Sequence, residues 1–226
     1  MSRNLNHITH SASIPQIGEG IFLTKDVANI LRLPYPKVKH WLNEFWDKRF
    51  TDGGHSFGER QNKAVNFYTL IEFYTFYQLR EHGFSAQQIQ KAYKIIGNDL
   101  QTKYPFANDI LRVDDKHIWY EYLGELMKVD DKRKLYIKQL LEPFLHKIDY
   151  NADAIAERYF PLGKQKKIIV DPQHQFGQPT VFGTNIKAKT LYDLHQGGET
   201  NENIGFLYDL SVDDVNDAIS FYLNAA

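Results

Sequence analysis

The chain has 226 residues, of which 42% are hydrophobic and 24% charged, an ordinary globular mix with room for one large domain or two small ones. It contains no cysteine, which excludes disulfides, cysteine-ligated zinc and thiol sensing. Net charge is −1 but uneven: residues 1–100 hold 12 Lys+Arg against 9 Asp+Glu, while residues 166–226 hold 4 against 8, so contact with phosphates is expected at the front of the chain.

No apolar run approaches the roughly 18 residues that a membrane-spanning helix needs. The first residues lack the apolar core of a secretion signal, so a cytoplasmic protein with no membrane partner is expected. Residues 1–19 read as a polar, flexible tail.

A short helix follows, with Thr24 as its N-cap and Val27, Ile30 and Leu31 on one face. Arg32-Leu33-Pro34-Tyr35 breaks it, and Pro36 suits the start of a second helix striped by Val38, Trp41, Leu42 and Phe45. Tyr35, Lys37, Lys39 and His40 lie off that stripe. Two short helices with basic residues at the start of the second are what a major-groove reader needs, because that first turn reaches phosphates and base edges. A plain helical hairpin fits the same periodicity. The glycine-rich stretch from Phe50 to Asn66 reads as a β-hairpin wing that presents Arg60 and Lys63.

Thr69 and Glu72 read as a capping box at the head of a helix ending at His82 and stopped by Gly83. Ser85 and Gln88 read as a second box, ahead of a helix striped by Ile89, Tyr93 and Ile96. Tyr68-Thr69-x-x-Glu72, Leu79-Arg80-Glu81-His82-Gly83-Phe84-Ser85 and Ile89 together resemble the MerR-type winged helix-turn-helix. The match spans about residues 20–97. Asn66 stands where that family has a wing arginine, and Val38-Lys39-His40 replaces its Leu-Arg-Tyr. The resemblance implies DNA contact through Thr24, Tyr35, Lys37, Lys39, His40, Arg60 and Lys63.

In the middle, Ile110–Lys116 and His117–Tyr122 alternate around Asp114-Asp115 as a hairpin. Trp119, Tyr120 and Tyr122 fit a strand burying one face better than a ligand or partner surface. An amphipathic helix is expected from Leu135 to Ile148, and Arg158 is a further candidate partner contact.

The last segment opens with the apolar run Ile168-Ile169-Val170 and Asp171-Pro172. A turn of defined shape follows, with Gly177, Pro179 and Gly183. Three helices come next. The first places Ala188, Leu191 and Leu194 inward, the second holds Ile204 and Leu207 behind Thr200, and the last is capped by Ser211. The last helix is expected to expose Asp213, Asp214 and Asp217, which repel phosphates and suit a protein-binding or dimerisation unit. Gly177-Gln178-Pro179 through Gly183-Thr184-Asn185-Ile186, with Leu210-Ser211 and Val215, resembles a small domain of unknown function, family 433, seen in bacterial antitoxins. Asn185 stands where that family usually has Arg.

The expected fold is therefore mainly α with small β elements. A winged helix-turn-helix covers 20–100, a β-hairpin and helix 101–165, and a three-helix, helix-turn-helix-like domain 166–226. No hydrolase elbow, His-Glu-x-x-His, phosphate loop or dinucleotide fingerprint is present, and His7 with His10 fits a solvated tail better than a metal site, so neither enzymatic activity nor a cofactor is expected. The two resemblances together imply a homodimeric antitoxin of the VapB type. It would bind operator DNA and neutralise a PIN-like ribonuclease toxin. The alternative is a MerR-like, ligand-responsive transcription regulator with no toxin.

Overall fold

The computed structural model describes residues 16, 18–130, 134–135 and 145–223. The polar tail lies almost wholly outside them, as do residues 136–144 of the helix expected from Leu135. Among the described residues the fold is mixed α/β, with seven α-helices and four small antiparallel sheets.

β1 (Phe22–Leu23) leads directly into α1 (Thr24–Leu31), which buries Val27, Ile30 and Leu31 as their spacing predicts. The cap differs from expectation. Leu23 is the N-cap, its amide donates to Asp26 at 3.0 Å, and Thr24 is the first helical residue. The Thr24 hydroxyl instead donates to the Lys63 carbonyl at 3.2 Å, just ahead of the strand paired with β1. Arg32, at φ 55, turns the chain in the left-handed region. Pro34 then caps α2 (Tyr35–His40), where Pro36 costs no helical hydrogen bond because it lies in the first turn.

α2 runs straight into a π-helical segment, Trp41–Phe50. Val38, Leu42, Trp46 and Phe50 are spaced four apart and all buried. In an ideal α-helix three such steps carry a stripe about 120° around the axis. The wider i→i+5 coil reduces that drift and keeps the row aimed at the core. There Trp46 meets Phe73 at a centroid distance of 4.1 Å, and Phe50 meets Phe76 edge-on at 5.1 Å.

β2 (Ser56–Phe57) and β3 (Ala64–Val65) join β1 in a sheet ordered β1-β3-β2. α3 (Phe67–Glu81) follows, and Asn66 rather than Thr69 caps it, accepting from the Thr69 amide at 3.0 Å. Thr69 and Glu72 are fully buried and serve tertiary contacts, so the expected capping box does not form. At the next corner Gly83 is at φ 92, Arg80 donates to the Phe84 carbonyl at 2.6 Å, and Ser85 and Gln88 form the predicted box heading α4 (Ala86–Leu100).

β4 (Leu111–Val113), β5 (Ile118–Tyr122), β6 (Glu125–Lys128) and β7 (Lys134–Leu135) form a meander paired in chain order. The expected helix from Leu135 to Ile148 is corrected at both described ends. Leu135 pairs as a strand with Leu126, and Ile148 opens β8 (Ile148–Tyr150), which pairs with β9 (Ala156–Tyr159). β10 (Ile168–Ile169) and β11 (Thr180–Val181) form the last sheet. α5 (Ala188–Gln196), α6 (Asn201–Tyr208) and α7 (Val212–Leu223) close the chain.

One continuous set of buried apolar side chains runs from Phe22 to Phe221. Front and back meet closely. The Ile21 amide donates to the Phe176 carbonyl at 3.1 Å, and the Arg32 guanidinium lies 5.7 Å from the centre of the Phe221 ring.

Candidate nucleic-acid and protein interfaces

α2 presents Tyr35, Lys37, Lys39 and His40 to solvent, with Val38 its only buried residue. Lys37 rests its ammonium 4.7 Å from the Tyr77 ring centre and 5.2 Å from that of Trp41. The aromatics hold the cation in place while leaving it exposed, a geometry worth about 0.5–1 kcal/mol at the surface. Lys39 and His40 follow on the same short helix.

The loop from Phe57 to Lys63 returns tightly. Gly58 is at φ 72, and a Cβ there would lie 2.3 Å from the Asn62 carbonyl oxygen, so only glycine fits. Arg60, at φ 52, is exposed at the loop tip. Lys63 is used differently: its ammonium donates to the Leu42 carbonyl at 2.7 Å and ties the loop base to the helical segment after α2. Of the seven residues singled out for DNA contact, five are therefore exposed, while Thr24 and Lys63 hold the loop in position.

The other end of this loop rests on a buried polar network that sequence reasoning missed. Asp47 accepts from the amides of His55 and Ser56 at 3.0 and 3.1 Å. The His55 ring lies 2.9 Å from the Tyr93 hydroxyl, which in turn donates to Glu72 at 3.3 Å. Burial holds the Glu72 carboxyl well above the usual carboxylate range, and burial pulls the His55 imidazole below its ordinary value. Glu72 was legible in sequence only as a helix N3 residue, and its true role needs a neighbour 21 positions away. Between this network and α4 lies a cavity of about 340 Å³, lined by Thr51, His55, Tyr93, Asn98 and Lys103 among others.

The middle aromatics pack within the fold. Trp119 is buried and its indole donates to Asp114 at 2.8 Å. Tyr120 is fully buried with its hydroxyl on Asp99, and Tyr122 is half-buried beside it. Arg158 is half-exposed, with Nε 3.4 Å from Asp171, in a cleft shared with His174, Thr184 and Asn185.

In the C-terminal helices two expectations are corrected. Asp214 and Asp217 are 8% and 7% exposed, not free. Lys167 lies 3.4 Å from Asp214 and Lys166 2.7 Å from Asp217, because the basic residues entering β10 cross the face of α7. Asp213 alone of the three is exposed. Leu207, expected inward, is 63% exposed, and its neighbour Phe206 is 88% exposed.

With this geometry in hand, comparison with known proteins places the back of the chain. Residues 168–222 match the family described as "Protein of unknown function (DUF433)", so the chain carries a DUF433 domain at its C-terminal side. Over 55 residues it is 33% identical to the uncharacterized protein Rv2308 of Mycobacterium tuberculosis, a stretch that spans 24% of this chain and 23% of that one. The whole fold is similar to the crystal structure of Rv2018 from Mycobacterium tuberculosis. The TM-score is 0.63 at 13% identity, over 88% of this chain and 96% of that one, a likeness of fold alone.

Proposed function

We propose that this protein is a VapB-type antitoxin that binds its operator through the front of the chain and holds a PIN-like ribonuclease with the rest. In this reading α1, its tight turn and α2 form a helix-turn-helix, and the loop between β2 and β3 is the wing. The observation that carries the reading is the presence of two exposed surfaces of different character. The cationic start of α2 is offered to solvent at one end of the chain. An acidic domain, of a kind seen in antitoxins, presents uncovered apolar residues at the other. The first suits a duplex and the second another polypeptide. Neutralisation on this account is steric and asks no chemistry of this chain.

Co-expression with the product of the neighbouring gene tests it. The expected result is a stable complex without ribonuclease activity that shifts promoter DNA. A purified pair that neither associates nor inhibits would refute the reading. A ligand-responsive regulator remains the second reading, favoured by the cavity beside His55 and Tyr93. A metabolite that raises the melting temperature by several degrees, with no protein partner, would select it.

A further inference from the structure

Phe206 and Leu207 stand side by side on the outside of α6, 88% and 63% exposed. Single exposed leucines are ordinary, but a phenyl ring almost wholly in water beside another large apolar side chain costs solubility for no gain within the chain. The cause is local. α6 buries Ile204 and Gly205, and a Cβ on Gly205 would lie 2.9 Å from the Leu210 carbonyl oxygen. The returning turn thus presses on that face and sends the next two residues outward. Val212, just past the same turn, is 39% exposed and extends the apolar surface.

The rim of this surface is acidic. Glu202 lies one helical turn before Phe206, Asp209 three residues after it, and both are exposed, as is Asp213 at the start of α7. Residues 166–226 contain only four cations. Lys166, Lys167 and Lys189 are already engaged by Asp217, Asp214 and Asp193. Asp213 also faces Lys166, whereas among the described residues Glu202 and Asp209 have no ion pair, so their charge is available to an outside cation. A twofold contact between two copies of this patch would set Glu202 and Asp209 against their own images, which is unfavourable. A nucleic acid would be repelled for the same reason.

We infer that Phe206 and Leu207 anchor an apolar cleft edged by Lys and Arg on a different protein. Resting on the antitoxin reading, the inference names where the toxin is held. A ribonuclease must gather cations where it binds the RNA backbone. An apolar anchor ringed by carboxylates fits such a groove, with Glu202 and Asp209 taking the place of phosphates. Inhibition then arises by exclusion of RNA, and this chain and RNA compete for the toxin.

The test uses the full chain co-expressed with the neighbouring-gene product. Phe206→Ala should weaken the complex about 30-fold, as loss of a hot-spot anchor does. It should leave the melting temperature and the promoter shift unchanged. Glu202→Lys with Asp209→Lys should weaken the complex further at low salt, and added single-stranded RNA should displace the wild-type chain. Wild-type affinity in Phe206→Ala would overturn the anchor while leaving the antitoxin reading intact. Wild-type affinity in the double lysine variant, or no displacement by RNA, would overturn the charged rim. Absence of any wild-type complex would overturn both reading and anchor. A dimer of this chain that dissociates on Phe206→Ala would identify a second copy as the occupant and refute the inference.

Discussion

The Glu72, Tyr93 and His55 side chains join α3, α4 and the residue just before β2, and their protonation is set by burial. Glu72 keeps one carboxyl oxygen without a hydrogen-bond partner, a defect far less costly in a neutral acid than in an anion. A carboxyl whose folded pKa is raised binds its proton more tightly in the fold than in the unfolded chain. Its contribution is complete below the ordinary value of 4.5 and is lost as pH rises. His55 has the opposite sign: its folded pKa is lowered, so stability falls as pH drops below the ordinary value of 6.5. Glu72→Gln keeps a polar partner for Tyr93 but cannot ionise. Urea melts of this variant should gain on the wild type between pH 5 and pH 8; parallel curves at all pH values would show that Glu72 is already charged in the fold. None of this is legible in the local sequence. Thr69-x-x-Glu72 reads as a capping box because the pattern describes one helix, whereas the structure spends both side chains on contacts with other elements.

Caps and stripes are a property of elements, and at this scale the chain is mostly readable. Ser85 and Gln88 form their box where the spacing puts it, so Ser85→Ala should cost about 1 kcal/mol in chemical denaturation. α2 carries the nucleic-acid prediction. Replacing Lys37 and Lys39 by Ala should lower the slope of log affinity against log salt by about 2 in promoter-shift titrations. The fold should lose at most about 1 kcal/mol, chiefly from Lys37 leaving Tyr77 and Trp41. An unchanged salt slope would remove α2 from the interface. Two elements resisted sequence reading for a physical reason. The π-helical continuation of α2 exists because four aromatic and aliphatic side chains must reach one core, and helical-wheel reasoning assumes the narrower coil. Ile148 belongs to a strand because β9 lies beside it, and a partner 11 residues away leaves no periodic mark.

On the scale of the whole molecule, front and back share one core, and the junction is tight. Gly177 is at φ 83, and a Cβ there would come within 2.3 Å of the Phe22 ring. Gly177→Ala should therefore cost about 2–3 kcal/mol through backbone strain and overpacking, read as a lower melting temperature for the single unfolding transition. A silent substitution would mean that the two parts do not rest on each other in solution. Charge follows the same division: the acidic excess lies in the C-terminal part and the cations of α2 face away from the core, yet Asp214 and Asp217 spend their charge on Lys167 and Lys166. By itself the sequence determined the helices with clean apolar stripes, the capped corner between α3 and α4, the hairpin at Asp114 and the DUF433 segment. These depend on neighbours within a turn or a hairpin. Only the tertiary structure decided which carboxylates are spent internally, which lysines brace a loop, and that Phe206 and Leu207 face outward. Those outcomes depend on what another element presses against, and a residue's own neighbours in the chain carry no record of it.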